Sequence, residues 1–441
     1  MHKLLELVNK SYKYLVASLL IIVPLYPKFP FLKIPGIYVS IRAEDFLLAV
    51  IAVATLIKLV PNIKNLLKDK IVRAIMLFLL VGFISLVSGI FLTKTVTLSI
   101  GALHFFRRIE YFIPFFAVFA FFPYDKGKNL EFYIKVLMIV IISAFIYGYG
   151  QSHFNFPVIL TQDSESSKGL ALKWTPGIQI TSTFAGHYDL AAFMVLVLPI
   201  VISLFFTLKG RFSKLIIFIV ASSGFWLLVN SASRISLASY LAAVFVSLIL
   251  LKKYKAMIVI IIASVVLSGL SSNLFARYKS LIDVYLSVSA QETTLIKREE
   301  APATPVPVPV FEDRSTSIRF AVEWPRAIRS VLKSPFLGTG YSSVGLATDN
   351  DYLRLLAEVG ILGLVAFALI FIRILFLFIS VLPLSRNFSG LELGFMAGII
   401  GGIVGTLLNA TFIDVFEASK FATIFWLLVG LAVYHVQKVK S

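Results

Sequence analysis

Apolar runs long enough to cross a lipid bilayer recur along the whole chain, and no other feature limits its possible folds as severely. A hydrocarbon core about 30 Å thick needs roughly 20 apolar residues at a rise of 1.5 Å each. About twelve such runs can be counted, over residues 12–27, 43–60, 71–93, 105–123, 132–150, 186–207, 213–229, 233–251, 255–270, 352–382, 391–411 and 420–437. With 59% hydrophobic and 15% charged side chains in 441 residues, and a mean hydropathy of +0.91, the apolar surface exceeds what a water-soluble core can hide. The expected fold is an all-α polytopic membrane protein. The first run is followed by Pro24, Pro27 and Pro30 rather than by a small-residue cleavage site, so it is read as a retained span and not as a removable signal peptide.

A net charge of +18 raises the possibility of nucleic-acid binding, but the basic residues are scattered through short interhelical loops and form no single stripe. They fit membrane orientation better. With a cytoplasmic N-terminus, the inner segments receive Lys3, Lys10, Lys13, Lys58, Lys64, Lys68, Lys70, Arg73, Lys126, Lys128, Lys209, Arg211, Lys214, Lys252, Lys253, Lys255, Arg386, Lys438 and Lys440. The short outer segments receive fewer, so both termini are expected in the cytoplasm. Two hydrophilic stretches, 151–185 and 271–350, then lie outside. The chain divides into a first membrane block (1–270, about nine spans), a large external loop (271–350) and three last transmembrane helices (351–441).

Within the large loop, the alternating prolines of APATPVPVPVF (Ala301–Phe311) favour extended backbone, and 290–313 is read as a poorly ordered insert. Residues Ser317–Leu332 recover helical spacing despite Pro325 and are expected to lie along the outer surface. The absence of cysteine excludes disulfides, thiolate nucleophiles and cysteine-ligated metal. Asp349-Asn350-Asp351 also reads as an Asp-x-Asp pair of the kind that holds a divalent ion, but a three-residue match is unspecific, and no metal or other cofactor is expected. No repeat is visible in the hydrophobic pattern, unlike the inverted halves of many transporters.

The most informative stretch runs from Arg319 to Gly363, RFAVEWPRAIRSVLKSPFLGTGYSSVGLATDNDYLRLLAEVGILG, where a polar segment leads directly into a span. Arg314, Arg319, Trp324, Arg326 and Arg329 are either the basic face of a surface helix drawn to anionic lipid or groups that engage a substrate. Asp349, Asn350 and Asp351 precede the span, and one of them is expected to cap it. Asp351, Arg354 and Glu358 share one face, as an ordinary ion-paired set or as a wall of a polar cavity. Arg234, in NSASRISLASYLAAV, is an interfacial anchor or a bidentate phosphate ligand. His187 and Asp189, in TSTFAGHYDLAAF, are structural or contact sugar hydroxyls, while Arg42 and Asp45 suit an ion pair at a helix start. Arg107 and Arg108 are read as headgroup anchors, and Arg373 as free to snorkel. The small residues of AGIIGGIVGT (Ala397–Thr406) predict close helix packing.

The spacing of Arg319, Trp324, the SPFLGTGYSS turn with Tyr341, and DNDYLRLLAEVGILG resembles the central signature of the bacterial O-antigen ligase and O-antigen polymerase family. The SASR pattern at Arg234 is similar to a second family motif. The resemblance implies a GT-C-like membrane glycosyltransferase with a large external loop domain in the bacterial cytoplasmic (inner) membrane. It would act on the external, periplasmic side, inverting and metal-independent. Its donor would be a glycan on polyprenyl (undecaprenyl) pyrophosphate. By this resemblance Arg234 and Arg319 hold the diphosphate, and Asp349 with Asn350 positions the acceptor hydroxyl. Arg314, Trp324, Tyr341, Arg354, His187 and Asp189 are further candidate substrate contacts. The family usually has His-Asn where this chain has Asp349-Asn350, and a carboxylate beside arginines is a weaker base, which leaves an orienting role open. The pattern leans towards a surface-polysaccharide polymerase, with membrane lipids and a chain-length regulator as further partners. A ligase acting on lipid A core (lipopolysaccharide) or protein is the alternative, and a lipid-linked glycan flippase or transporter is the reading from another class.

Overall fold

The computed structural model describes residues 2–27, 30–32, 41–125, 129–158, 179–269, 319–345 and 347–440. The chain is built from helices, in the order α1 (His2–Leu25), α2 (Ala43–Leu59), α3 (Ile63–Leu66), α4 (Lys70–Phe91), α5 (Leu98–Asp125), α6 (Leu130–His153), α7 (His187–Thr207), α8 (Arg211–Asn230), α9 (Arg234–Leu250) and α10 (Tyr254–Gly269). A π-type turn (Arg319–Glu323) then leads into α11 (Trp324–Lys333), α12 (Asp351–Ile379), α13 (Leu384–Asn387), α14 (Gly390–Asn409) and α15 (Ser419–Lys440). A short antiparallel ladder pairs Pro30–Leu32 with Ile41–Arg42.

Every expected apolar run is helical. Among the described residues, seven helices (α4, α6, α7, α8, α12, α14 and α15) are long and apolar enough to cross a membrane, and Ser11–Leu25, α9 and α10 are shorter apolar helices. The protein is thus a polytopic all-α membrane protein, although length and composition alone give seven crossings rather than twelve. Helix α5 begins at Leu98, earlier than its expected apolar run, and Arg107, Arg108 and Glu110 lie within it. The Pro-rich insert at 290–313 and Arg314 lie outside the described residues. Pro325 does not interrupt α11: it occupies the first turn, where its missing N–H costs nothing.

The Gly-rich run lets α14 approach two neighbours at backbone distance. Gly394, Gly398 and Gly402 face Leu204, Ile200 and Leu196 of α7, while Gly401 and Gly405 face Ala243, Ser247 and Ser239 of α9. Residue numbers rise along α14 as they fall along α7 and α9, so both partners run antiparallel to α14. The C-terminus of α14 therefore meets the N-termini of α7 and α9, and the site is built at this end of the bundle. Helices α7 and α15 are enclosed along most of their length.

Helix α12 spans 29 residues, about 43 Å at 1.5 Å per residue, well beyond the ~30 Å of a hydrocarbon core. It breaks at Gly360, whose φ of 75° and ψ of −176° belong to a region open essentially to glycine. The break orphans backbone groups, and the SPFLGTGYSS turn satisfies them. The amides of Thr339 and Gly340 donate to the carbonyls of Ala357 and Glu358 (2.9 and 2.8 Å), and the amides of Ile361 and Leu362 donate to Pro335 and Phe336 (2.9 and 3.3 Å). In α12 the acidic and basic residues ahead of the break are Asp351, Arg354 and Glu358; after it only Arg373 is charged. Gly360→Ala would place a methyl group against the Phe336 carbonyl and force an L-residue into a glycine region, at a cost of at least about 1–3 kcal/mol. A lowered melting temperature in detergent, relative to the parent protein, is the expected outcome.

Candidate functional site

The polar end of the bundle starts from Arg319. The residue is only 8% exposed, and its guanidinium reaches Asp349, with Nε to Oδ2 at 3.0 Å and Nη2 to Oδ2 at 2.9 Å. Nη2 also donates to the Tyr188 hydroxyl at 3.5 Å, and the guanidinium lies over the Tyr188 ring. Burial alone lowers the Arg319 pKa, but the Tyr188 oxygen and the Asp349 carboxylate more than offset it, and the value is raised. A fixed positive charge thus sits beside a carboxylate where α7 and α12 begin.

Asp349 is held in a left-handed backbone conformation, φ 50°, a state that non-glycine residues adopt only when their surroundings impose it. Asp414 imposes it. Its carboxylate accepts the Thr348 amide at 2.8 Å through one oxygen and the Asn350 amide at 2.9 Å through the other, so it grips the backbone on both sides of Asp349. The same carboxylate pairs with Arg354 at 3.2 Å. Asn350 caps α12, its Oδ1 accepting the Leu353 amide at 2.9 Å, as expected for one of the three residues. The Asp351 amide donates to the Ala410 carbonyl at 3.0 Å, and its carboxylate accepts the Phe416 amide at 3.0 Å.

Deeper in the bundle, Arg354 also faces Glu358 and Glu417, both at 3.4 Å. Arg108 pairs with Glu417 and donates to the Phe416 carbonyl at 2.8 Å. Arg107 pairs with Asp45 at 2.7 Å and Glu110 at 3.1 Å. This corrects the reading of Arg107 and Arg108 as headgroup anchors: both are largely buried and tie α5 to the starts of α2 and α15. Their positions in an expected interfacial segment allowed snorkelling, but acidic partners on other helices make inward pairing possible, and a buried charge persists only when so compensated. Arg42 and Asp45 do form a helix start, the Arg42 amide donating to Asp45 at 2.9 Å, but the side-chain ion pairs join Asp45 to Arg107 and Arg42 to Glu44 (3.7 Å).

Arg234 opens α9. Two residues on, Ser236 donates to Asn409 at 3.0 Å, and the adjoining Ala410 carbonyl receives the Asp351 amide, so Arg234 belongs to the same bundle end as Asp349. No direct contact joins it to Arg319 among those described. His187 and Asp189 flank Tyr188 in the first turn of α7, and the His187 ring packs on Tyr188 with centroids 4.0 Å apart. Trp324 packs on Phe320 and Phe412. Tyr341 is 1% exposed, enclosed by Leu86, Phe105 and Val359 and close against Gly82. The structure thus keeps it in the packing, with the Arg108 guanidinium over its ring.

Sequence reasoning passed over Tyr188, Asp414, Glu417 and Lys420. Lys420 is fully buried and donates to three carbonyls, Pro24 (3.2 Å), Tyr26 (2.8 Å) and Thr183 (2.8 Å), fastening the segment that leads to Tyr188. The available signal was composition: DVFEASK (Asp414–Lys420) carries two charges in the short connection between two spans and a third in the first turn of α15.

Residues 219–368 match the family model described as O-Antigen ligase. The match covers about a third of the chain and supports its likeness to the O-antigen ligase/polymerase family. The matched region includes Arg234, Arg319, Asp349 and the Gly360 break, and excludes Tyr188, Asp414 and Lys420. No curated protein matches the chain.

Asp414→Asn offers one carbonyl oxygen in place of two carboxylate oxygens. One of the two gripped amides is then left without its acceptor, a loss of about 1–3 kcal/mol. Amide hydrogen exchange over residues 347–353 should accelerate by roughly 10- to 100-fold, read by mass spectrometry on the protein in detergent.

Proposed function

We propose that this protein is a membrane glycosyltransferase that moves a polyprenyl-pyrophosphate-linked glycan onto a glycan acceptor, as a surface-polysaccharide polymerase. The observation that carries this reading is the buried, permanently charged Arg319 beside a rigidly held Asp349, at a bundle end that also receives Arg234. Guanidinium groups bind diphosphate oxygens through paired donors, and a low-dielectric surrounding strengthens that attraction. In the proposed reaction Arg319 and Arg234 hold the donor diphosphate, while Asp349 and the donor side of the Asn350 carboxamide orient the acceptor hydroxyl. The hydroxyl oxygen attacks the anomeric carbon, the bond from that carbon to the diphosphate oxygen breaks, and polyprenyl pyrophosphate leaves. The hydroxyl proton passes to water or to Asp349. Stabilising the departing diphosphate carries more of the barrier than proton removal does, which suits a carboxylate in place of the usual family histidine.

We place the reaction at the external face of the bacterial inner membrane, with twelve crossings and cytoplasmic termini, on the distribution of basic residues. Apart from Arg373, the described charged residues lie mainly towards the two ends of the bundle, with the paired arginines and carboxylates at the end that holds Arg319, instead of spreading through its depth, which favours surface transfer over translocation by a flippase. The family description favours a second reading, transfer of a finished glycan to a lipid or protein acceptor as a ligase. The two readings part in one assay. Purified protein in proteoliposomes, given a defined polyprenyl-pyrophosphate repeat unit, should yield a ladder of products if it is a polymerase and a single addition if it is a ligase.

Arg319→Ala should lower transfer by about 10²–10³-fold without loss of membrane-inserted protein, with Arg319→Lys recovering little because it lacks the planar fork. Full transfer by an Arg234→Ala/Arg319→Ala double variant would refute the assignment.

A further inference from the structure

Helix α11 has two apolar sides, and only one is used by the protein. Ala327 packs with Val344 and Ala357, with Val331 and Leu353 at the margin. On the other side Ile328 and Leu332, preceded by Phe320 and Val322 and followed by Phe336, stand open, with Leu332 77% and Phe336 67% exposed. Arg326, Arg329 and Lys333 form a basic stripe along the same helix at i, i+3 and i+7.

Three observations fix the level of this face against the bilayer. The Lys333 ammonium donates to the Thr93 carbonyl at 3.3 Å, just beyond the end of α4, whose terminal Phe91 and the adjoining Leu92 are open apolar side chains. The Phe336 carbonyl is bonded to the Leu362 amide, where α12 has passed its last acidic residue and begins to show Leu362 and Val365 outward. The excess length of α12 over a hydrocarbon core places that same break near the boundary. Helix α11 therefore lies at the level where two spans emerge, and its exposed apolar face continues their lipid-facing surfaces.

We propose that α11, with Phe320 and Phe336, is an in-plane interfacial helix that docks on the bilayer surface. Its open apolar side chains enter the acyl boundary, and Arg326, Arg329 and Lys333 meet the phosphates of anionic headgroups. The partner is the lipid surface itself, matched by the apolar face and by the sign of the charge. One consequence is positional: Arg319, in the turn that opens into α11, is held at headgroup depth. This inference rests on the membrane assignment and not on the transfer reaction, so either can fail alone.

The absence of native cysteine allows single nitroxide labels on the full chain without a background substitution. Ile328→Cys, Leu332→Cys and Phe336→Cys test the apolar face, Arg329→Cys the basic stripe and Val365→Cys a lipid-facing reference on α12. Each would be reconstituted in phosphatidylcholine–phosphatidylglycerol vesicles and probed for collision with oxygen and with a water-soluble nickel chelate. Labels at 328, 332 and 336 should resemble 365 in favouring oxygen, at a depth of roughly 5–10 Å below the phosphates, while 329 should favour nickel. Nickel-dominated collisions at 328, 332 and 336, with 365 still favouring oxygen, would overturn the proposal. Protection of those three labels from both probes would overturn it equally, because protein rather than lipid would then cover the face. Three independent positions, each checked for parental thermal stability, keep the outcome readable if one variant misfolds.

Discussion

Paired charge at one end of an apolar bundle is the interaction on which the remaining architecture depends. Arg107, Arg108 and Arg354 are set against Asp45, Glu110, Glu358, Asp414 and Glu417, contributed by α2, α5, α12 and the connection ahead of α15. Charges so far from water persist only with partners at close range; Glu110 and Glu358 come from the next turn of the same helix, whereas Asp45, Asp414 and Glu417 come from elements remote in sequence. The same groups join the helices and hold the backbone: Asp414 neutralises Arg354 while gripping the chain around Asp349. Stability and site geometry are set by the same atoms here.

Opposite in character is the seam between α14 and its neighbours α7 and α9. There backbone meets backbone because glycine leaves room, and the attraction comes from dispersion and close fit. By fixing the antiparallel sense of these helices, the seam brings the starts of α7 and α9 to the end of α14, next to the start of α12. Tyr188 and Arg234 reach the same region as Asp349 through this packing, although long stretches of sequence separate them.

Much of this was legible in the residues. The spans follow from run length, because a bilayer imposes a fixed thickness, and the glycine seam follows from the spacing of small residues. Arg319 and Asp349 were legible through family resemblance, and their contact is semi-local. The rest depends on tertiary context that periodicity does not encode. Gly360 reads as an ordinary helix glycine until the turn that satisfies its broken backbone is seen beside it. Arg107 and Arg108 occupy positions from which an arginine can turn either to headgroups or inward, and only the acidic groups on other helices decide. Tyr341, drawn by its motif to a substrate role, is claimed by the packing around Gly82 and Phe105. Asp414 has no neighbouring motif, and its importance arises from where the connection ahead of α15 happens to fold.

The location of Asp414 bears on how far the recognisable part of such a chain is self-sufficient. The stretch that carries the family likeness ends at residue 368, well before Asp414, and begins after Tyr188. A segment transplanted between relatives along those limits would bring Arg234, Arg319 and Asp349 with it. It would leave behind the carboxylate that orients the last of them and the phenol that steadies the second, so the signature and its mounting are inherited as separate pieces of one chain.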